Sequence, residues 1–239
     1  MDTCVIIPTY NEKENIVSLV EKILALPIDA RIIVVDDNSP DGTGKIMDEL
    51  AKKNLRVHVI HRSGKLGLGT AYLAGFKKAM AEGVDRVITM DADFSHDPTY
   101  IPELVALADQ FDITIGSRYV LGGGVRIWGW ERRFMSWSAN TFAHLMLGLK
   151  ANDCTAGFRC YRREVLSSID HTQFFSNGYS FLIEMLFKCE RQGYTVGEIP
   201  IIFVNRTLGD SKISHHEIYK ALYTVMRLAV SRLIFRRRD

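Results

Sequence analysis

Residues 87–98 read VITMDADFSHDP, an apolar run followed directly by two carboxylates, Asp91 and Asp93. Side chains two positions apart in an extended chain lie on the same face, so these two carboxylates can converge on one point. Converging carboxylates repel each other unless a proton or a cation lies between them. Oxygen ligands favour Mg²⁺ or Mn²⁺, which often also hold phosphate oxygens. The pattern predicts either a metal and diphosphate site at the end of a strand, or an acidic turn that caps the next helix.

The totals describe an ordinary globular chain of 239 residues, 47% of them hydrophobic and 24% charged. A net charge of +2 argues against a nucleic-acid partner. The four cysteines form no C-x-x-C pair, which favours reduced thiols in a cytosolic protein. The chain opens directly into a strand-like run, which predicts no signal peptide, and it has no uncharged apolar run of about 18 residues, which predicts no transmembrane helix.

Strands and helices alternate along the first part of the chain. Continuous apolar runs predict strands at 3–8, 31–37, 56–60 and 86–90. The segments between them predict three helices: one at 12–26, one that follows the turn at 38–42 and ends at about residue 53, and one at 70–82. This alternation is typical of a parallel α/β sheet with right-handed crossovers, in which ligands bind at the carboxyl ends of the strands. That edge would collect Tyr10, Glu12, Asp37, Asp91 and Asp93, which favours the metal and diphosphate interpretation.

The second part of the chain is less regular. It predicts helices at 98–110, 130–149, 179–191 and 215–235, strands at 112–118, 155–161 and 195–204, and a glycine-containing loop at 121–129. Without a linker or a repeat, we expect one catalytic domain over residues 1–213. Residues 214–239 would form a C-terminal amphipathic helix with a basic tail. The expected fold class is α/β, with a mixed, mainly parallel sheet flanked by helices.

Several common nucleotide and hydrolase motifs are absent from the sequence. There is no G-x-x-x-x-G-K-[ST], so a P-loop ATPase is excluded. Gly67 and Gly69 begin a dinucleotide-binding pattern, but the third glycine is missing and the pattern follows the third strand instead of the first. No G-x-S-x-G is present, which argues against the simplest hydrolases.

Eight segments together carry a resemblance that runs nearly end to end. They are IPTYNE at 7–12, VDDNSPDGT at 35–43, LGLGTAY at 66–72, MDADFSH at 90–96, GSRY at 116–119, WERRFMSWSAN at 130–140, TAGFR at 155–159 and VNRTLGDSK at 204–212. With these segments the chain resembles the family 2 glycosyltransferases of GT-A fold (Rossmann-like), and within them the dolichol-phosphate or polyprenyl-phosphate mannose synthases.

The resemblance implies transfer of mannose from GDP-mannose to the phosphate of dolichol or another polyprenol. The anomeric carbon would be inverted, giving a β-mannosyl phosphate lipid of the kind used in protein glycosylation, with Mg²⁺ or Mn²⁺ as cofactor. Two rivals remain open. One is a polyprenyl-phosphate glucosyltransferase that uses UDP-glucose, and the other is a non-catalytic nucleotide-sugar-binding subunit.

The resemblance also assigns roles to individual residues. It implies that the donor is bound by Pro8, Tyr10, Glu12, Val35, Asp37, Ala92, Arg206 and Lys212. It implies that Asp91 and Asp93 bind the metal, with the weaker ligand Ser95 at a third position. It implies that the acceptor phosphate is held by Arg118, Arg132 and Ser136. The residues expected to be catalytic are Asp91, Asp93, Arg118 and Arg132.

The chemistry of the acceptor simplifies the expected site. A phosphate monoester is largely ionised at pH 7, so it needs alignment and charge stabilisation rather than a general base. We therefore interpret Asp153 as a structural or orienting residue. Asp97, which precedes Pro98, is interpreted as a helix cap. Asp36 and Asp41 are open between turn residues and ligands. His96 would lie on the surface or be hydrogen-bonded.

The carboxyl-terminal segment predicts contact with a membrane surface. Apolar residues recur at helical spacing at Ile218, Leu222, Val225, Ala229 and Leu233, while Lys220, Thr224, Arg227 and Ser231 form another face. Arg236, Arg237 and Arg238 follow, and aromatic residues cluster at Trp128, Trp130, Phe134 and Trp137.

The expected location is therefore peripheral, on the cytoplasmic face of a membrane: the endoplasmic reticulum in a eukaryote or the plasma membrane in a prokaryote. Small membrane-anchor subunits or a truncated chain are both compatible with this sequence. The alternative for the last helix is docking on the core, with a solvated basic tail.

Overall fold

The computed structural model describes residues 2–127, 129–204 and 215–236. The predicted donor-binding residues Arg206 and Lys212 lie outside these ranges, as do Trp128, Arg237 and Arg238.

Within these ranges a seven-stranded sheet forms the centre of the molecule. Its order is β3 (Val57–His61), β2 (Ala30–Asp36), β1 (Thr3–Thr9), β4 (Arg86–Thr89), β7 (Arg159–Arg162), β5 (Ile113–Ser117) and β8 (Val196–Pro200). Neighbouring strands are parallel, except that β7 runs antiparallel to both β4 and β5. A separate parallel pair is formed by β6 (Gly124–Arg126) and β9 (Ile202–Val204). The mixed, mainly parallel sheet expected from the sequence is confirmed.

Helices cover both faces of this sheet. They are α1 (Ile16–Leu24), α2 (Thr43–Lys53), α3 (Leu68–Ala81), α4 (Ile101–Leu107) after a 3₁₀ turn at Pro98–Tyr100, α5 (Trp130–Leu147), α6 (Arg163–Ser168), α7 (Ser180–Arg191) and α8 (His215–Arg236). Alternate residues of β1 point to opposite faces. Cys4 and Ile6 enter the cluster that includes α3 and α7, whereas Val5 and Ile7 enter the cluster that includes α1 and α4. Burial on both faces explains why this strand is a continuous apolar run.

Four elements differ from the sequence-based expectation. The predicted strand at 155–161 starts only at Arg159, and β6 occupies part of the predicted loop at 121–129. The predicted strand at 195–204 is divided into β8 and β9, because Pro200 has no N–H to donate and the chain changes sheet at Ile201. Helix α6 follows β7 immediately and was not predicted, since its six residues are too few to show a period.

Helix α8 docks on the core through part of its predicted stripe. Val225 and Ala229 are buried, and so is Thr224, which the sequence had placed on the polar face. Leu222, another residue of that stripe, is 46% exposed, so the stripe does not dock on the core as a whole. The exposed side also carries apolar side chains, which are Tyr219, Leu222, Tyr223, Met226 and Val230. Among the described residues, no helix combines the length and the apolar character needed to cross a bilayer.

Candidate active site

A cavity of about 340 Å³ opens where β1, β2 and β4 end. Seven of the residues that line it are predicted site or donor residues: Pro8, Tyr10, Glu12, Asp37, Asp91, Ala92 and Asp93. The others that line it are Thr9, Lys65, Gly67, Leu68, Ala71, Gly178 and Tyr179. Val35 is fully buried in the core and does not line the cavity. A second, open groove of about 690 Å³ lies against α2 and β3 and contains none of the predicted residues.

The turn that carries the two carboxylates is held by its own hydrogen bonds. Asp93 is 5% exposed, and its Oδ1 accepts the Ser95 N–H at 3.0 Å. His96 Nδ1 accepts the Asp91 N–H at 3.3 Å. Phe94 has a φ of 59°, a left-handed conformation that is uncommon for a bulky side chain and often marks a functional site.

His96 is buried and hydrogen-bonded, so the expectation of a surface position is wrong while the hydrogen-bonded alternative holds. Its ring stacks on Phe158, with the ring centroids 5.1 Å apart. Burial lowers the pKa of His96 to about 4, so the ring is neutral at pH 7. Its Nδ1 atom lies 3.9 Å from Asp91 Oδ2, but a neutral ring forms no ion pair there. The histidine therefore fixes the backbone of the carboxylate turn.

The donor set at this turn fits a divalent ion held partly by ligands from outside the protein. Asp91 and Asp93 line the same cavity and supply hard oxygen atoms. Within the described ranges, no group of three or more His, Cys, Asp and Glu side chains is placed to hold a metal. Ser95 is 3% exposed and does not line the cavity. Mg²⁺ and Mn²⁺ commonly keep water and phosphate oxygens as further ligands, which suits a two-carboxylate site.

Asp37 also lines this cavity. Its side chain is 9% exposed, and Arg62 Nε lies 3.1 Å from its Oδ1. This oxygen is buried and accepts no hydrogen bond within the described part of the chain. Burial raises the pKa of Asp37, and the positive charge of Arg62 opposes that rise. Asp37 thus offers an unused acceptor to a ligand that carries an N–H group.

The neighbouring acids Asp36 and Asp41 have structural roles. Asp36 accepts hydrogen bonds from the Thr9 hydroxyl at 2.9 Å and from the Ser39 hydroxyl at 2.6 Å. Asp41 accepts both the N–H and the hydroxyl of Thr43 at the start of α2. Asp97 likewise accepts the N–H of Thr99, as predicted for a cap. These contacts decide the open alternative for Asp36 and Asp41 in favour of turn and cap residues.

Arg118, which feels the negative charge of Asp91, forms a buried pair with Asp153. Arg118 donates from Nε to Oδ2 at 2.8 Å and from Nη2 to Oδ1 at 2.7 Å. Its backbone N–H also donates to Oδ2, and Nη2 donates to Thr155 Oγ1 at 2.6 Å. Burial would raise the pKa of Asp153, but the charge and hydrogen bonds of Arg118 outweigh it and lower the pKa. Asp153 therefore holds Arg118 in place, which agrees with the structural or orienting role expected for Asp153, although the sequence did not predict its partner.

Tyr119 contacts two of the predicted acceptor residues, Arg118 and Ser136. Its hydroxyl lies 2.8 Å from Ser136 Oγ, which links the end of β5 to helix α5. Arg132 and Ser136 are one turn apart on α5 and share a face of the helix. Arg133 donates to the Val125 carbonyl at 3.1 Å, which gives it a structural contact with β6.

Some site residues were missed by the sequence-based predictions. Lys65 lines the cavity, and its Nζ lies 4.7 Å from the centroid of the Tyr10 ring. Lys65 directly precedes the segment 66–72, so its position was available as a signal. Tyr179 and Arg62 lie outside every segment that carried the resemblance, and only the fold brings them to the site.

Comparison with known proteins identifies the family. The model of Glycosyl transferase family 2 matches residues 4–170, well over half of the chain. The chain belongs to this family. It is 47% identical over 225 residues to the polyprenol monophosphomannose synthase of Mycolicibacterium smegmatis, covering 93% of this chain and 85% of the relative. It is 41% identical over 227 residues to the undecaprenyl-phosphate mannosyltransferase of Micrococcus luteus, covering 95% and 93%.

Solved structures share the fold of this family member. Glucosyl-3-phosphoglycerate synthase from Mycobacterium tuberculosis, in complex with Mn²⁺, UDP and glucosyl-3-phosphoglycerate, aligns with a TM-score of 0.66 and 19% identity, covering 95% of this chain and 79% of that one. A mannosyltransferase from Pyrobaculum calidifontis, in complex with GDP-Man and Mn²⁺, aligns with a TM-score of 0.63 and 18% identity, covering 99% and 64%. At these identities the likeness establishes the GT-A type of fold.

Proposed function

We propose that the protein transfers mannose from GDP-mannose to the phosphate of a polyprenol, with inversion at the anomeric carbon. The observation that carries this proposal is the position of Asp91 and Asp93. They line the same cavity as Asp37, and the negative charge of Asp91 is close enough to Arg118 to help raise the pKa of that arginine. The names of the two relatives, a polyprenol monophosphomannose synthase and an undecaprenyl-phosphate mannosyltransferase, support the mannosyl group and the polyprenol phosphate acceptor.

The transfer needs no proton acceptor from the protein. An oxygen of the acceptor phosphate attacks the anomeric carbon, while the bond from that carbon to the donor diphosphate breaks and GDP leaves. The phosphate is largely ionised at pH 7, since its second pKa is about 6. Asp153 is fully buried and bonded to Arg118, so it is not placed to act as a base. Asp91 and Asp93 would hold Mg²⁺ or Mn²⁺, which offsets charge on the leaving diphosphate.

Different residues would bind the nucleobase of the donor and the phosphate of the acceptor. Asp37 Oδ1 would accept an N–H of the nucleobase, a group that guanine presents. Arg118, Arg132 and Ser136 would hold the acceptor phosphate, because guanidinium groups bind phosphate oxygens in pairs. Arg118 already has Nε and Nη2 bonded to Asp153 and Thr155, so the phosphate would approach the rest of its guanidinium.

The lipid acceptor places the enzyme at a membrane surface in this proposal. Two helices present exposed apolar side chains: α5, with Trp130, Phe134 and Trp137, and α8, with Tyr219 and Met226. These residues would lie in the interfacial layer of the cytoplasmic leaflet, where aromatic rings are favoured. Association would be peripheral, alone or with small anchor subunits.

A transfer assay tests the proposed function. Purified protein with Mn²⁺ or Mg²⁺ and a short polyprenyl phosphate would be supplied with GDP-mannose or with UDP-glucose. We expect a mannosyl lipid from GDP-mannose and no product from UDP-glucose. Product from UDP-glucose alone would replace the donor assignment, and no product from either donor would contradict an enzymatic function.

The metal assignment is tested with Asp93→Ala. Loss of one of two carboxylate ligands should lower turnover by about 10³-fold or more, because the metal contributes several kcal/mol to the transition state. The matched control is Asp97→Asn, which keeps a capping side chain in the same turn and should retain activity. Unchanged turnover of the folded Asp93→Ala protein would refute the metal role.

The membrane assignment is tested with Met226→Glu on α8. The side chain is 45% exposed, so the substitution should leave folding intact while it weakens sedimentation with liposomes that contain anionic lipid. Leu55→Glu is the control, because Leu55 is 90% exposed and precedes β3. Equal liposome binding by both variants and the unmodified protein would argue against α8 as a membrane contact.

A further inference from the structure

Arg62 is a buried arginine beside the cavity with no role in the transfer described above. It follows β3 directly, and its side chain is 7% exposed. Its guanidinium contacts three parts of the chain. Nε lies 3.1 Å from Asp37 Oδ1, Nη1 donates to the Gly67 carbonyl at 3.3 Å, and Nη2 donates to Thr70 Oγ1 at 2.8 Å. Arg62 does not itself line the cavity.

These contacts join the residue after β2 to the turn that starts α3. The Arg62 backbone N–H donates to the Asp36 carbonyl at 2.9 Å, which fixes where the arginine leaves the sheet. Gly67 lines the cavity and has a φ of 101°, so its carbonyl is presented by a backbone conformation that favours glycine. Arg62 thus sets the distance between Asp37 and the turn that forms the adjacent wall.

The opposite side of the same turn is held by Asn177. Its Nδ2 donates to the Leu66 carbonyl at 2.8 Å, and the residues that follow, Gly178 and Tyr179, line the cavity. A β-carbon on Gly67 would come within 2.1 Å of Asn177 Oδ1, so there is no room for the turn to shift in that direction. The turn is therefore clamped between Arg62 and Asn177.

Although Arg62 lies beside Asp37, one oxygen of the Asp37 carboxylate remains able to accept a hydrogen bond from a ligand. Arg62 Nε lies 3.1 Å from Asp37 Oδ1, yet this oxygen accepts no hydrogen bond within the described part of the chain, while the backbone N–H groups of Leu66 and Gly67 act on the carboxyl and lower its pKa. A buried acceptor of this kind is costly unless a ligand supplies the missing donor. The nearby positive charge favours the ionised carboxylate, which accepts hydrogen bonds and donates none.

We propose that Arg62 is a positioning residue for the donor nucleotide, because it holds Asp37 and the 66–70 turn in the arrangement that receives the nucleobase. This inference rests on the proposed function, in which Asp37 faces the base. Arg62 acts through Asp37 and Gly67 without touching the reacting atoms. Its loss therefore weakens nucleotide binding and leaves the transfer step and acceptor binding largely unchanged.

Calorimetric titration with GDP and Mn²⁺ tests this role, together with steady-state kinetics in GDP-mannose and a short polyprenyl phosphate. For Arg62→Gln we expect the Kd for GDP and the KM for GDP-mannose to rise about tenfold or more. The kcat at saturating donor and the KM for the acceptor should stay within about threefold. Arg62→Lys keeps the charge without the planar fork and should give an intermediate Kd.

Arg56→Gln is the matched control. Arg56 precedes β3 as Arg62 follows it, but its side chain is 38% exposed and its partner Asp29 is 91% exposed. This variant should bind GDP as the unmodified protein does. Because Arg62→Gln leaves Asp37 buried without its cation, the double variant Asp37→Asn/Arg62→Gln is included. If Arg62 acts through Asp37 and the turn beside it, the double variant loses less GDP affinity than the sum of the losses in Arg62→Gln and Asp37→Asn.

Three outcomes would overturn the proposal: an unchanged Kd for GDP in Arg62→Gln, a loss confined to kcat, or additive losses in the double variant. The donor assignment can fail separately. If the unmodified protein binds UDP and not GDP, and Arg62→Gln weakens UDP binding to the same degree, the role of Arg62 is supported while the proposed donor is wrong. No binding of either nucleotide by the unmodified protein would refute both.

Discussion

Two buried arginine–aspartate pairs lie near the carboxylate turn, and they differ in the hydrogen bonds that the aspartate oxygens accept. In Arg118–Asp153, both carboxylate oxygens accept hydrogen bonds, and the aspartate is fully buried. In Arg62–Asp37, the arginine lies 3.1 Å from Oδ1, yet this oxygen has no hydrogen-bond donor among the described residues. The pKa of Asp153 is lowered, because the arginine outweighs burial, whereas the pKa of Asp37 is raised, because burial outweighs the arginine.

The difference separates a structural pair from one that is ready for a ligand. A carboxylate whose oxygens are all bonded has nothing further to offer, and its role is to hold its partner. A carboxylate with an unused, buried oxygen gains free energy when a ligand donates to it. Residue types alone do not distinguish the two pairs. The hydrogen bonds of each oxygen do, and each pair should respond differently to loss of its negative charge.

The largest expected effect is on stability, in Asp153→Asn. The substitution leaves Arg118 buried without its anion, and breaking a buried pair in this way costs about 3–5 kcal/mol. Urea unfolding at pH 7 measures the loss. Asp29→Asn, at a pair on the surface, is the control and should leave the unfolding midpoint unchanged. A midpoint for Asp153→Asn equal to that of the unmodified protein would show that the Arg118–Asp153 pair does not stabilise the fold.

The same variant has a predicted pH dependence. The pKa of Asp153 is lower in the folded protein than its ordinary value of 3.8, so the unfolded chain binds the proton more tightly. The stability contributed by this carboxylate is complete well above pH 3.8 and is lost as the pH falls below it. The difference in unfolding free energy between the unmodified protein and Asp153→Asn should therefore shrink between pH 7 and pH 3. A constant difference would contradict the assignment.

A smaller effect, on affinity rather than stability, is expected for Asp37→Asn. An amide can offer its N–H groups where the carboxylate accepted, so GDP binding should weaken about 10–100-fold, or roughly 1.4–2.8 kcal/mol. The stability loss should be less than in Asp153→Asn, because burial already disfavours the ionised form of Asp37. Calorimetry with GDP and Mn²⁺ measures the affinity.

The control for Asp37→Asn is Asp48→Asn, at an exposed carboxylate 2.9 Å from His61 Nε2. It should bind GDP normally. If Asp37→Asn bound GDP as tightly as the unmodified protein, or if Asp153→Asn weakened GDP binding as much, the contrast between the two pairs would fail.

The position of Asp37 could be predicted from the sequence, whereas the partners in both pairs could not, because the partners are distant along the chain. Asp37 could be placed at the end of a strand, since the buried run before it is a local signal. The bond from Arg118 to Asp153 joins residues 35 positions apart, and only the antiparallel insertion of β7 beside β5 brings the two together. The contact between Arg62 and Asp37 likewise depends on the pairing of β3 with β2, which the sequence does not show.

The carboxylate turn shows the same limit. Asp91 and Asp93 were found from their spacing, since the apolar strand β4 precedes them. The burial of His96 could not be predicted in this way, because the rings that surround it belong to Phe158 and Phe203, which are distant in sequence. In α8 the period of the helix was correct, but the sequence could not show which apolar side docks on the core, because both sides are apolar.

The smallest expected effect is that of Thr155→Val, at the neutral side chain that contacts both members of the Arg118–Asp153 pair. The Thr155 hydroxyl accepts from Arg118 Nη2 at 2.6 Å and lies 3.2 Å from Asp153 Oδ1. Valine keeps the shape and removes both contacts, which should cost about 1 kcal/mol of stability. With Arg118 held less firmly, the KM for the polyprenyl phosphate should rise a few-fold, while the Kd for GDP stays unchanged.

Thr172→Val is the matched control, because its hydroxyl donates to Asp170 on an exposed turn that does not line the cavity. It should change neither constant. If Thr155→Val altered GDP binding instead of the acceptor KM, the Arg118 pair would belong to the donor side. The two arginine–aspartate pairs would then serve one substrate, because a contact that only orients Arg118 can affect nothing that Arg118 does not touch.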